Sequence, residues 1–206
     1  MPQVNEYPSR SFEFTVTTPP GVEPVSWDDL KAHSRIDDDT EKTIGETYIT
    51  AARIFLEDFS RRTFVTTAYE LQLRGFPIPN GQIALPRAAP LGAVTGITYK
   101  DTDGSSQSFS DFQINTKRQP GLVAPDPGVT WPATQVDVYD AVTIDYAAGY
   151  GNQATSVPDP IRVAILHLSA HWFEHREPIL AGTTGMELPH HLKSLMWNIR
   201  AEVEFV

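Results

Sequence analysis

The sequence predicts an α+β fold: a helical bundle assembled from the N- and C-terminal parts of the chain, with an antiparallel β-rich region, barrel or sandwich-like, inserted between them. Three observations carry that expectation. Apolar residues recur with helical spacing near both ends, they alternate with polar ones through the middle, and turn dipeptides such as Asn80-Gly81 and Asp103-Gly104 punctuate the alternating stretch. On this reading residues 1–24 form an extended arm, 25–63 and 157–206 the helical connector bundle, and 64–156 the β-rich insertion.

The arm carries Pro2, Pro8, Pro19, Pro20 and Pro24 around one alternating stretch, Phe12, Phe14 and Val16, that suits a short strand. Ser26 opens a helix in the S-x-x-D capping form, its hydroxyl placed to accept from the Asp29 amide and Val25 available as a staple; this helix ends near His33. A second helix begins around Asp38 to Thr40, where acids favour its positive end, and its apolar stripe is Ile44, Tyr48, Ala52, Phe55 and Phe59. After Arg61-Arg62 the period changes, so that Tyr69, Leu71 and Leu73 face one way and Glu70, Gln72 and Arg74 the other. Strand-sized pieces follow at 82–85, 94–99, 108–115, 122–124, 134–138 and 141–146.

Helix returns after Pro158, where Asp159 and Pro160 suit a first turn and Ile161, Ile165, Leu168 and Trp172 form a stripe that Pro178 ends. A last helix spans 189–202 with Leu192, Leu195, Met196 and Ile199 on its apolar face. Neither pair of helices can bury its stripe alone, so helices from the two ends must meet.

Composition excludes several functions. The 206 residues contain no cysteine, which removes disulfides, thiolate catalysis and cysteine-ligated metals, and fits folding in a reducing cytoplasm. With 26 acidic against 16 basic residues the net charge is -10, the wrong sign for gripping a nucleic-acid backbone. No apolar run of about 18 residues is present to span a bilayer, and Glu6, Arg10 and Glu13 break any signal-like stretch at the N-terminus.

Few motifs suggest chemistry. His171-Trp172-Phe173-Glu174-His175 matches the H-x-x-E-H spacing of a class of zinc peptidases, in which His171 and His175 would share a helical face and Glu174 would activate water; no third ligand is specified. Asp37-Asp38-Asp39 with Glu41 lacks the glycine and glutamate of a calcium loop, since those positions hold Lys42 and Tyr48, and reads as an acidic helix start. Gly149-Tyr150-Gly151 has neither the lysine nor the spacing of a phosphate loop and reads as a strand exit. There is no G-x-S-x-G. Trp131, Tyr139, Tyr146 and Tyr150 could line a sugar-binding face, although aromatics at strand ends are more often core or interface. A metal-dependent hydrolase and a carbohydrate-binding β-module are therefore the two alternatives to a non-enzymatic building part.

Several phrases in fixed order say more than the periodicities. Val25-Ser26-Trp27-Asp28-Asp29-Leu30-Lys31-Ala32-His33-Ser34-Arg35-Ile36-Asp37, the helix ending Phe59-Ser60-Arg61-Arg62-Thr63-Phe64, the strand Tyr69-Glu70-Leu71-Gln72-Leu73, the turn Leu85-Pro86-Arg87, the exit Tyr146-Ala147-Ala148-Gly149-Tyr150-Gly151 and the helix Ala170-His171-Trp172-Phe173-Glu174-His175-Arg176-Glu177 together resemble the head-tail connector (adaptor) proteins of tailed phages and related prophages. The match covers residues 22–200 and departs at His175, where many of those proteins carry asparagine. The resemblance implies a structural virion protein with no catalytic residues, no cofactor and no bound metal. It would form a homo-oligomeric ring, twelvefold in this family, under the portal protein after DNA packaging. The ring would extend the channel and offer a docking platform to a stopper or tail-completion protein; DNA would pass without specific binding, and no membrane would be involved. Assembly would take place in the host bacterial cytoplasm and the product would sit at the head-tail interface of the virion.

A ring closed by head-to-tail contacts needs two different sticky patches on each subunit. The sequence offers the exposed side of the second helix around Arg53, Glu57 and Arg61, the aromatic end of the third helix at Trp172 and Phe173, and the N-terminal arm. By the same analogy the C-terminal tail with Phe205 and Val206 would reach the portal, loops such as Asp101 to Ser105 would face the tail, and the acidic charge would make a channel wall that repels DNA.

Overall fold

The computed structural model describes residues 12–77, 81–175 and 190–201. The elements run in the order β1 (Phe12–Thr18), α1 (Trp27–Ser34), α2 (Lys42–Ser60), β2 (Thr67–Leu73), β3 (Ile83–Ala84), β4 (Leu91–Lys100), β5 (Ser106–Ser108), β6 (Phe112–Asn115), β7 (Leu122–Pro125), β8 (Val142–Ala148), α3 (Asp159–Glu174) and α4 (His190–Asn198). The fold is thus α+β: β2 to β8 lie in sequence between two pairs of helices, and β1, ahead of the first pair, joins the larger antiparallel sheet at its edge.

The first cap forms as the spacing requires. Ser26 Oγ accepts from the Asp29 amide (3.1 Å) while Asp29 Oδ2 accepts from the Ser26 amide (2.9 Å), satisfying two donors that the first turn of α1 leaves open. Ser26→Ala is expected to cost about 1 kcal/mol in urea unfolding. The Ser26 amide and hydroxyl hold the Asp29 carboxyl below the ordinary carboxylate range. A depressed folded value means that the Asp29 contribution is present above the unfolded value, near 4, and fades as pH falls through the lower folded one. The stability gap between wild type and Asp29→Asn should therefore be open at neutral pH and close under acid.

The second helix starts at Lys42, after the acids rather than among them, and those acids tie α1 to the loop instead: Asp39 Oδ1 accepts from Trp27 Nε1 (2.8 Å) and from Lys31 Nζ (2.9 Å). Trp27 is buried, and its ring lies where a Cβ on Gly45 would be, which is why the helix carries glycine at that position. The buried face of α2 is Gly45, Ile49, Ala52, Arg53, Leu56, Glu57 and Ser60. This corrects the expected stripe. Ala52 is shared, Tyr48 and Phe59 are only half-buried, and Ile44 and Phe55 stay exposed.

Helices from the two ends do meet. Trp27, Leu30, Ile49, Leu56, Ile161, Ile165, Leu168, Phe173, Leu192, Met196 and Ile199 share one apolar core, with α2 packed along α3 and α4 packed on both. The α3 stripe is as expected at Ile161, Ile165 and Leu168, but Phe173 rather than Trp172 is the buried aromatic. A second apolar core lies among the strands, around Tyr69, Leu71, Leu85, Ile97, Val123, Ile144 and Tyr146.

Among the described residues no sheet closes into a barrel. A five-stranded sheet in the order β1-β2-β8-β4-β5 and a three-stranded sheet in the order β3-β7-β6 are both open. One physical reason is the missing strand at 134–138: Pro132 lacks an amide donor, Asp137 adopts a left-handed backbone with φ 64°, and Val136 projects into solvent. The expected 108–115 strand is two pieces, β5 and β6, that join different sheets. Of the expected turns, Asp103-Gly104 forms, with Gly104 at φ 84°, whereas Asn80 lies outside the described residues.

Candidate assembly surface

The strand region is coupled to the helices by a buried polar joint at the C-terminal half of α2. Glu57, 4% exposed, has both carboxylate oxygens engaged: one accepts from the Phe64 amide (2.8 Å) where the chain leaves the helix, the other from Arg53 Nη1 (2.8 Å). Arg53 in turn donates to both oxygens of Glu23, at 2.7 and 3.2 Å, and Thr50 donates to the same carboxylate. Burial pushes the Glu57 carboxyl up, against the pull of the Phe64 amide and Arg53. Burial also works against the Arg53 charge, but the hydrogen bonds it donates to Glu23 and the charge of Glu57 outweigh it and raise the guanidinium above its ordinary value. Arg53 and Glu57 therefore do not form an outward patch. They clamp the segment before α1, the helix and the start of the sheet into one unit.

The joint continues into the sheet and the last helix. Thr63 Oγ1 donates to the Arg87 carbonyl (2.9 Å) and shares a hydrogen bond with the Tyr69 hydroxyl (2.9 Å); Arg87 pairs with Asp58. Arg62 Nε donates to the Ile199 carbonyl (2.7 Å), and the Ala201 amide donates to the Ser60 carbonyl (2.9 Å), fixing the end of α4 against the end of α2. The sequence gives no local signal for these links, because partners such as Arg62 and Ile199 lie 137 positions apart.

An aromatic ridge remains outward on the helices. The stripe expected inside runs along one edge of α2, where Phe55 packs edge-on against Trp172 of α3 at 5.8 Å and Phe59 against Trp197 of α4 at 5.4 Å. Trp197 is 59% exposed and Phe55 40%, an unusual exposure for side chains of this size. Arg200 lies over both Trp197 (4.9 Å) and Phe59 (5.8 Å). Of the sequence candidates, Trp172 belongs to this ridge, Arg61 is exposed at the left-handed end of α2, Phe173 is buried against Trp27 and Tyr48, and Phe205 and Val206 lie outside the described residues.

The features that suggested chemistry do not assemble. The His171 and His175 rings lie 4.7 Å apart with tilted planes, His175 Nδ1 lies 2.9 Å from the His171 carbonyl, and burial together with the His175 charge lowers the His171 pKa. Among the described residues no three His, Cys, Asp or Glu side chains converge on a metal position. Trp131 stacks on Phe76 at 4.4 Å and Tyr146 is buried with its hydroxyl donating to the Pro86 carbonyl, so the four aromatics share no face; Tyr139 instead lies under Arg74, and the Tyr150 hydroxyl accepts from Arg62. A cleft of about 270 Å³ lined by Thr17, Tyr69, Thr95, Asp145 and Tyr146 falls below the usual size of a ligand pocket. Asp101 accepts from the amides of Asp103 and Ser105 and from Gln107, which makes the 101–105 turn a stiff projection.

No family model matches the sequence, and no curated protein matches it. Solved structures do. The chain is similar to one in the neck of an empty GTA particle computed with C6 symmetry, with TM-score 0.76, 18% identity, and 94% of this chain and 97% of that chain covered. This chain shares its fold with a particle-neck chain. It is also similar to a chain in the virion of a native gene transfer agent (GTA) particle (TM-score 0.74, 18% identity, 93% and 97% covered) and to one in the neck of a native GTA particle computed with C12 symmetry (TM-score 0.67, 19% identity, 93% and 97% covered). The similarity covers 94% of the chain, a larger share than residues 22–200 alone.

Proposed function

We propose that this protein is a structural, non-enzymatic virion component: a head-tail connector subunit that forms a ring beneath the portal, extends the DNA channel and presents a platform for the stopper or tail. The observation that carries the reading is the neck fold over 94% of the chain, found in assemblies computed with sixfold and twelvefold symmetry. Three features support it. The outward aromatic ridge is a surface that a free monomer has reason to cover. Locking Glu23, α2 and the first residue of the strand region into one buried polar unit suits a part that transmits position rather than one that opens and closes. The net charge of -10 suits a wall past which DNA slides.

The test is loss of the chain from cells that make the particle. Filled heads and finished tails that fail to join are the expected result. Joined, tailed particles lacking this protein would overturn the proposal.

A further inference from the structure

The strands of the larger sheet carry the chain away from the helices. β2 follows α2 and β8 leads back to α3, so Leu73, Val142 and Tyr99, side by side in the register, mark the far end of the sheet, about 20 Å out. There Lys100 holds the loop 136–140 at both of its ends. The Lys100 carbonyl accepts from the Gln135 amide (3.0 Å), and the Lys100 amide donates to the Ala141 carbonyl (2.9 Å). Lys100 Nζ also pairs with Asp140 (2.7 Å), Arg74 lies over the Tyr139 ring (4.2 Å), and Asp137 takes its left-handed backbone between them. The Gln135 side chain lies against Gly104, which sets the stiff 101–105 turn beside this loop. From it project Val136 and Tyr139, 78% and 75% exposed, the most exposed large apolar side chains among the described residues.

Bracing of this kind does nothing for the core, since both side chains stand in water. What it supplies is an apolar pair that is already ordered, so a partner meets little of the entropy cost of fixing it. We infer that Val136 and Tyr139 form a docking tip for a different protein, one that presents an apolar pocket rimmed by lysine or arginine. The sign of the rim comes from the two loops, which carry Asp101, Asp103, Asp137 and Asp140; the bases beside them, Lys100 and Arg74, are engaged with Asp140 and Tyr139. Complementary charge steers and orients the encounter, and Tyr139 is the anchor. A second copy is the wrong complement. The chain carries a net charge of -10, and its cleft lined by Tyr69, Thr95 and Asp145 holds an acid and no base. The inference rests on the connector reading for where the partner sits, and adds the surface it lands on and the chemistry of its pocket.

The absence of native cysteine lets the tip be read in place on the full chain. A Val136→Cys thiol should react freely with a maleimide in the purified chain, whatever its oligomeric state, and about tenfold or more slowly in assembled particles, where the pocket covers it. Tyr139→Ala and Asp103→Lys should each leave the thermal melt of the chain unchanged and lower the yield of joined particles. A thiol as reactive in the particle as in the free chain, or undiminished joining by both variants, overturns the docking tip and leaves the connector reading standing. Protection already present in oligomers of the chain alone means that a second copy covers the tip, and overturns the choice of partner. Particles that contain none of this chain overturn both readings.

Discussion

Replacing Glu57 by alanine is expected to lower stability by about 3–4 kcal/mol, enough to bring the melting temperature down by roughly 10 °C in a chain of this size. The deletion leaves the Phe64 amide buried without an acceptor, costing about 1–3 kcal/mol by itself. It also strips Arg53 of one of its two carboxylate partners. Arg53 keeps its paired bonds to Glu23, which holds the loss short of a fully orphaned charge. Glu57→Gln, which keeps an acceptor for the amide, should lose less than half as much. Thermal melts followed by circular dichroism rank the variants, and equal losses for Ala and Gln would show that the Phe64 bond is not what matters.

The second large effect is expected at Gly149→Ala. Gly149 has φ 129°, a conformation that side chains resist, and a Cβ there would stand 2.6 Å from the Thr66 nitrogen and 2.6 Å from the Val65 carbonyl carbon. Both are backbone atoms of the segment entering β2, so no rotamer change relieves the overlap. The strand exit must move, and with it the amide bonds from Gly149 to the Pro90 carbonyl and from Tyr150 to the Phe64 carbonyl. A loss of about 4 kcal/mol or failure to accumulate folded protein is expected. Gly128→Ala is the control: its φ is 86° but nothing lies within 4 Å, so only the backbone strain of about 1 kcal/mol applies. Similar losses at the two sites would mean that the close approach at Gly149 is unimportant.

The local grammar was legible where one short segment decides the outcome. The Ser26 and Asp29 cap, the stop after Ser60, the alternation in β2 and the helix start at Pro158 depend on neighbours within a few positions. The face of α2 was not legible, because Ile44, Tyr48, Phe55 and Phe59 recur at helical spacing around Ala52 just as the buried Ile49 and Leu56 do. Arg53 and Glu57, four apart, read as a solvent-exposed helix pair; only Glu23, 30 positions from Arg53, turns them into an interior clamp. Pro132 was visible in the sequence, but the left-handed turn at Asp137 that removes the expected 134–138 strand was not. The candidate assembly surface was half legible: Trp172 was singled out, whereas Trp197 and Arg200 are brought to the ridge where the Ile199 and Ala201 backbone is pinned to the end of α2.

Imaging the neck of the assembled particle tests the central claim most directly. A symmetric ring of this chain around the axis, between portal and tail, with sixfold or twelvefold repetition like the necks that share its fold, is the predicted result. A complete neck in which this chain has no place, or holds one as a single copy away from the axis, would contradict it.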